Sequence, residues 1–326
     1  MRKSLVQWFF VASFLCVVLV AFTFFWASSA PWPNSEKNRV IRFQYPSTKT
    51  ADGIYSVLTY NLGYLSGHKN NRALVLKETD HSRHMTHVKA VLADLQPDIL
   101  AFQEIDYLAQ RSFDVNQQNS LAKLGYNAVA QAVNWNINYV PFPFGPPSVN
   151  FGRVVSGQSI LSKYPITRHD PVVLARVKNA PFYRDAFYLD RLAQVAIIEL
   201  DTRAIAIINV HLESYDRSTR AIHFEQVIDL YQKYSKKYAT LLLGDFNSDP
   251  RNPNALVEQL LQTPSLGNAA FNRENIRATY PSRRPNERID YIFYDQKQIL
   301  ELSARVVEEM EFASDHLPVL LTFTFK

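Results

Sequence analysis

The feature that most constrains the fold of this chain is an apolar, β-prone run that ends abruptly in polar side chains. In TLLLGDFNSDP (residues 240–250) the run stops at Gly244, and Asp245 and Asn247 follow it. Gly244 permits a sharp turn, and Pro250 prevents the segment from continuing as a strand. A single occurrence would be explained equally well by an Asx turn in an ordinary loop. The rest of the chain, however, repeats the pattern.

Three further apolar runs are followed by polar or ionisable side chains. IYSVLTY precedes Asn61, DILAF precedes Gln103 and Glu104, and AIAIINV precedes His211. In α/β sheets, ligands bind outside the carboxyl ends of the strands. These runs therefore predict neighbouring parallel strands whose polar ends lie at one edge of a sheet.

Two other predicted strands carry such groups at their starts. Asp290 lies near the start of IDYIFY, and Asp315 and His316 precede LPVLLTF. Strands that run antiparallel to the first four would bring their starts to the same edge. The predicted site therefore consists of Asn61, Glu104, His211, Asp245, Asn247, Asp290, Asp315 and His316. Taken singly, each has a plain explanation as a loop acid, a core histidine or a turn residue, but their joint occurrence favours a site.

Composition allows a large core and excludes few functions. The chain has 326 residues, of which 47% are hydrophobic and 13% aromatic. The net charge of +5 neither requires nor excludes a polyanionic partner. Cys16 is the only cysteine, so no intrachain disulfide can form. Cysteine usage therefore does not indicate whether the protein resides in an oxidising or a reducing compartment.

The N-terminus contains an apolar run over residues 5–26, preceded by Arg2 and Lys3. A bilayer-spanning helix needs about 20 such residues, whereas the apolar region of a signal peptide has roughly 7–15. We therefore predict an uncleaved single-pass anchor, although the small residues at 27–30 leave cleavage open. The basic residues ahead of the run predict that the rest of the chain lies on the extracytoplasmic side.

The predicted organisation is an anchor over residues 1–27, a linker over 28–50 and a catalytic domain over 51–326. Residues 31–46 are polar and proline-punctuated, which is typical of a tether. Apolar spacing predicts helices over residues 85–95 and 218–237, and a hairpin of residues 194–200 and 204–210. His81, His84 and His87 have the spacing of a metal site, but we interpret them as a solvated helix face.

The chemistry of the predicted site fits cleavage of a phosphate ester. Carboxylates without cysteine suit a hard cation such as Mg²⁺ or Mn²⁺. A histidine paired with a carboxylate suits a general base, while amides and a second histidine suit stabilisation of charge on phosphoryl oxygens. The sequence has neither a P-loop nor a Gly-x-Ser-x-Gly elbow.

Ordered segments of the chain resemble the motifs of the endonuclease/exonuclease/phosphatase superfamily. They are LTYNLG, PDILAFQEID, GQSILSKYPI, NVHLES, LLLGDFNSDP, RIDYIFYD and SDHLPVLLTF. The resemblance covers nearly all of residues 51–326. It implies an α/β fold, a four-layer sandwich of two packed mixed β-sheets flanked by helices, here preceded by one N-terminal transmembrane helix.

The resemblance also implies roles for the predicted site residues. Glu104 would bind the divalent metal, with Asn61 and Asp315 near it. Asp245 and Asn247 would orient the nucleophile and the phosphate. His211 would contact the scissile phosphate, and Asp290 would support His316 as the base.

Three functions remain open at this point. The first is a membrane-anchored, metal-dependent phosphodiesterase that acts on a phospholipid or sphingolipid head group. The second is an exported nuclease, and the third is a binding module without activity on the same fold. The arginine-rich residues 272–288 would contact substrate phosphate or simply lie exposed. In and beside the proline-rich loop of residues 141–147, Phe142, Phe144 and Phe151 would contact lipid or substrate, or pack on the surface. The predicted partners are the phosphodiester substrate and the membrane, with no protein partner.

Overall fold

The computed structural model describes residues 2–49, 53–201 and 203–326, and two β-sheets packed face to face form its centre. The strands of the described residues are β1 (Asn38–Arg42), β2 (Ile54–Asn61), β3 (Ile99–Asp106), β4 (Ala128–Val140), β5 (Gly152–Ser162), β6 (Ile166–Val173), β7 (Leu192–Glu199), β8 (Ala204–His211), β9 (Ala239–Asp245), β10 (Leu266–Asn268), β11 (Asp290–Asp295), β12 (Ile299–Val306) and β13 (Val319–Phe325). The α-helices of the same residues are α1 (Arg2–Ser28), α2 (Asn34–Lys37), α3 (Glu78–Leu95), α4 (Gln117–Ala122), α5 (Phe182–Asp185), α6 (Arg217–Ser235) and α7 (Glu258–Leu261).

Both sheets are mixed. One has the strand order β1-β4-β5-β3-β2-β13-β12, and the other has the order β10-β11-β9-β8-β7-β6. The pairs β2–β3 and β8–β9 are parallel, while β11 and β13 run antiparallel to their neighbours. The carboxyl ends of the parallel strands and the starts of the antiparallel ones therefore meet at one edge, as the sequence predicts.

Central strands such as β3, β8 and β9 are buried on both faces, which explains why they are continuous apolar runs in the sequence. In β2, Val57 points into the core between the sheets, whereas Leu58 packs on the outer face under α3. On the other side, Phe224 of α6 packs against the outer face of the second sheet. The order helix, sheet, sheet, helix confirms the predicted four-layer α/β sandwich.

The segment predicted as a linker differs from the prediction. Within it, Asn38–Arg42 form β1, which pairs antiparallel with β4 at the edge of the larger sheet. Val40 packs against the inter-sheet core, and Ile41 against the outer cluster. A tether over residues 31–46 is therefore wrong for this part, because apolar side chains on both sides of the strand, from Trp32 to Tyr45, also pack against the outer cluster. The predicted domain start at residue 51 lies outside the described residues.

Helix α1 contains a span, Val6–Ser28, that is long and apolar enough to cross a membrane. The most apolar part of this span is not buried in the protein. A signal sequence near the N-terminus would have the same length and apolar composition. The histidines of α3 depart from the predicted solvated face. His81 and His84 are buried, and His84 Nδ1 lies 2.8 Å from the carbonyl oxygen of Leu65.

Candidate active site

Backbone pairing brings three of the predicted residues into adjacent positions. Asp245 at the end of β9 pairs with His211 of β8 on one side and with Asp290 of β11 on the other. Gly244 makes this approach possible: it has φ 131°, and a Cβ there would collide with the carbonyl oxygen of Val210. The strand-end pattern of the sequence therefore corresponds to a real convergence of side chains.

Two of the predicted residues have left-handed backbone conformations. Glu104 and Asn247 both have φ 49°, and Glu104 lies in the register shift between Phe102 and Ile105 of β3. Such conformations cost free energy for residues other than glycine and are concentrated at functional sites. The bulge redirects the Glu104 side chain away from the regular alternation of the strand.

A residue that the sequence reasoning missed joins Glu104 to Asp315. The Asn70 amide nitrogen lies 2.9 Å from Glu104 Oε2 and 3.2 Å from Asp315 Oδ1. Asn70 Oδ1 is buried and has no hydrogen-bond partner. Gly63, with φ 53°, lets the backbone approach, because a Cβ there would lie 2.8 Å from Asp315 Oδ1.

The charges of Glu104 and Asp315 are only partly compensated. Burial, and then the charge of Asp315, raise the pKa of Glu104 above its usual value. The Glu104 side chain keeps 13% of its surface exposed, and Asp315 is also partly exposed. Two accessible carboxylates that repel each other, with no sulfur donor beside them, match the oxygen ligands that Mg²⁺ and Mn²⁺ prefer.

A buried hydrogen-bonded chain lies next to these carboxylates. His316 Nδ1 lies 3.0 Å from Asp290 Oδ2, and the Asn61 amide nitrogen lies 3.4 Å from His316 Nε2 and donates to Asp245 Oδ2 at 3.0 Å. Because a carboxylate only accepts, His316 Nδ1 donates to Asp290. One carboxylate oxygen of Asp245, one carboxylate oxygen of Asp290 and one ring nitrogen of His316 all lie within 4.8 Å of one another.

The pKa values in this chain are strongly shifted. Burial lowers the pKa of His316, but the charges of Asp290, Asp245 and Asp315 outweigh burial and hold that pKa well above its usual value. Burial also raises the pKa of Asp245 to about 7, against the opposing charge of His316. Shifts of this kind are typical of acid–base groups in active sites.

Arg191, directly before β7, is a second residue that the sequence reasoning missed. Its Nη1 donates to His211 Nε2 at 2.6 Å, and its Nε lies 3.6 Å from a Glu213 carboxylate oxygen. Burial and the Arg191 charge hold the pKa of His211 well below its usual value. His211 is therefore neutral, and the positive charge on this side of the site belongs to buried Arg191.

The remaining predicted features are placed as follows. The Asn247 side chain donates to the carbonyl oxygen of Leu212 at 3.0 Å. Arg288 is fully buried and binds the carbonyl oxygens of Ala269 and Arg277, so it supports the fold rather than contacting a substrate.

Sequence and structure comparisons agree with this architecture. The family model described as "Endonuclease/Exonuclease/phosphatase family" matches residues 58–316. No curated protein sequence is significantly similar to the chain. Among solved structures, an endonuclease/exonuclease/phosphatase from Beutenbergia cavernae has 18% identity and a TM-score of 0.61 over 84% of this chain and 72% of that one.

Two further structures share the fold. The human Nocturnin catalytic domain has 18% identity and a TM-score of 0.57, and the match covers 91% of this chain and 100% of that one. A mannosyl-6-phosphatase from Bacteroides thetaiotaomicron has 16% identity and a TM-score of 0.58, with 83% and 100% coverage. At these identities the likeness concerns the fold alone.

Proposed function

Because the chain belongs to the endonuclease/exonuclease/phosphatase family, we propose that it is a membrane-anchored, divalent-metal-dependent phosphodiesterase that acts on a phospholipid or sphingolipid head group. The observation that carries the chemistry is the pair of partly exposed carboxylates, Glu104 and Asp315, held by one amide of Asn70. This pair lies beside a buried histidine–aspartate pair and a buried arginine, which together supply a base and a charge for phosphoryl oxygens.

Glu104 and Asp315 would hold the Mg²⁺ or Mn²⁺ ion, with Asn61 close by. When bound, the ion supplies Lewis-acid charge to the phosphoryl oxygens and offsets the carboxylate charge around His316.

His316 would take the proton of the attacking water once the charge of a bound ion offsets the carboxylates that raise the pKa of its ring. Asp290 accepts from its Nδ1 and so orients the ring, and the Asn61 amide faces Nε2 as a donor, which suits a lone pair there. Asp245 and Asn247 would orient the nucleophile and the phosphate. Neutral His211 and positively charged Arg191 would contact the non-bridging oxygens as negative charge develops on them.

The substrate class is tested with the full-length protein in detergent micelles. We expect hydrolysis of sphingomyelin or phosphoinositides at a rate well above that of DNA or RNA, because a tethered enzyme meets lipid head groups at high local concentration. The Glu104→Gln variant serves as the background for every substrate. Faster cleavage of nucleic acid than of lipid would establish the nuclease alternative. If the native chain cleaves no substrate faster than the Glu104→Gln variant does, the alternative of a binding module without activity would hold.

The anchor is tested by protease accessibility. Residues 6–28 carry no charged side chain, and the basic residues ahead of them are retained on the cytoplasmic side. We expect protease added to intact cells or spheroplasts to remove the catalytic domain, and the full-length chain to remain in the membrane fraction after a high-salt wash. A full-length chain that becomes soluble on lysis would contradict the anchor.

A further inference from the structure

The end of helix α1 packs on the catalytic domain through aromatic side chains. The ring of Phe24 lies 5.7 Å from that of Phe182 and 5.6 Å from that of Phe187, and the ring of Trp26 stacks on Tyr139 at 6.4 Å. Hydrogen bonds continue the contact just beyond the helix, where the Asn138 amide donates to Ser29 Oγ at 2.8 Å. The helix end is therefore docked on the domain rather than connected to it by a free tether.

These contacts fix the depth of one domain surface relative to the helix. The hydrocarbon core of a bilayer is about 30 Å thick and needs roughly 20 helical residues. In a span of Val6–Ser28, Phe24 and Trp26 lie in the last turns, at the level where aromatic residues are enriched at membrane interfaces. A domain side chain that touches Phe24 lies at the same level.

Large aromatic side chains are exposed on the two loops that pack together next to this end of α1. We call Phe144, Phe182 and Tyr183 the aromatic surface; their exposed fractions are 84%, 75% and 59%. Phe182 belongs to it and also touches Phe24. The exposed side chains of Lys178 and Arg184 flank Phe182 and Tyr183 in the sequence. Aromatic side chains bordered by basic ones are typical of surfaces whose rings reach the boundary between head groups and acyl chains while the charges stay in the head-group region.

Phe144 is joined to the same assembly through packed rings. Phe142 contacts Phe144 at 5.8 Å and Phe151 at 5.5 Å, and Phe151 contacts Trp135 at 5.9 Å. Trp135 in turn donates to the carbonyl oxygen of Phe187 at 3.0 Å. The proline-rich loop and the loop around α5 therefore present their aromatic side chains from one packed unit.

We propose that the aromatic surface inserts into the lipid interface beside α1, so that the domain is held against the bilayer by its own side chains as well as by the helix. This rests on the membrane anchor of the proposed function. The occupant is a bilayer, because Phe182 of this surface touches Phe24 at the end of the predicted membrane span. The transfer of these apolar side chains from water into the lipid interface lowers the free energy.

The same loop leads to the active site. Tyr188, the neighbour of Phe187, donates to Glu213 at 3.0 Å, and Glu213 lies beside Arg191, which donates to His211. Insertion of the aromatic surface therefore holds the Arg191–His211 side of the site close to the lipid head groups. A head group would reach the site from the plane of the membrane.

The test uses a fluorescent label on the full-length chain. In a Cys16→Ala background, Tyr183→Cys and Phe144→Cys are each labelled with an environment-sensitive dye and reconstituted in phosphatidylcholine vesicles that contain acyl-chain-brominated lipid. The matched control is Leu300→Cys, which is 46% exposed on β12, at the opposite edge of the sheet from β4. We expect at least about twofold quenching at positions 183 and 144 and none at position 300, because bromine quenches only dyes that reach the hydrocarbon region.

Equal and weak quenching at all three positions would overturn the proposal. The measurement does not depend on catalysis, so the same result is expected in the Glu104→Gln background. An enzyme without lipid activity but with quenching at 183 and 144 would contradict the proposed substrate and leave the docking intact. Loss of α1 from the mature chain, seen in its intact mass, would overturn the docking together with the anchor.

Discussion

Replacing Glu104 by glutamine is expected to lower the phosphodiesterase rate by about 10³-fold or more. A Lewis-acid metal contributes several kcal/mol to the transition state, and roughly 1.4 kcal/mol corresponds to a tenfold change in rate. Glutamine keeps the shape of the side chain but removes its charge, and the Asn70 amide then faces a neutral group. The rate is measured in saturating Mg²⁺ or Mn²⁺.

The same variant separates metal binding from folding. Burial and Asp315 disfavour the charged form of Glu104 in the metal-free protein, so the neutral side chain is expected to leave the melting temperature unchanged or slightly raised. Mg²⁺ or Mn²⁺ should raise the melting temperature of the native chain, since a ligand that binds only the folded state stabilises it. That increase should be absent in Glu104→Gln and retained in Glu225→Gln, which removes an exposed acid of α6. Full activity of the native enzyme in excess chelator would refute the metal requirement.

Replacing His316 by alanine is expected to lower the chemical step by roughly 10²–10⁴-fold, the usual size of a general acid–base contribution. Asp290→Asn should also lower it, because the carboxylate that orients the ring and favours its Nδ1 proton is lost. The two residues act on one proton transfer, so the double variant should be little slower than His316→Ala alone. Single-turnover rates measure the step directly.

Both residues are buried, so circular dichroism and the melting temperature of each variant must show a folded protein before the rates are compared. Asp290→Asn preserves the size of the side chain and is the more conservative of the two changes. Losses that multiply in the double variant would show that Asp290 acts apart from His316, as a structural acid at the start of β11.

Much of the fold could be predicted because the relevant signals are local. Strands such as β8 and β9 are continuous apolar runs with clear ends, and α6 has a regular apolar spacing. The strands that the prediction missed, β1, β6, β10 and β12, are the edge strands of the two sheets, are partly exposed and have mixed composition. Their pairing depends on a neighbouring strand rather than on their own pattern, so a single sequence gives little signal for them.

The sequence by itself determined which side chains lie at the ends and starts of buried strands, and so the positions of Glu104, His211, Asp245 and Asp290. These positions follow from where an apolar run breaks, which is a local property of the chain. Only the tertiary structure decided that Asn70 and Arg191 complete the site. Asn70 is separated by 245 residues from Asp315, which it contacts, and Arg191 meets His211 across adjacent strands. The Asn70 contacts depend on how the loop after β2 folds over the ends of β3 and β13, and the Arg191 contact depends on the pairing of β7 with β8. No pattern within either segment encodes them.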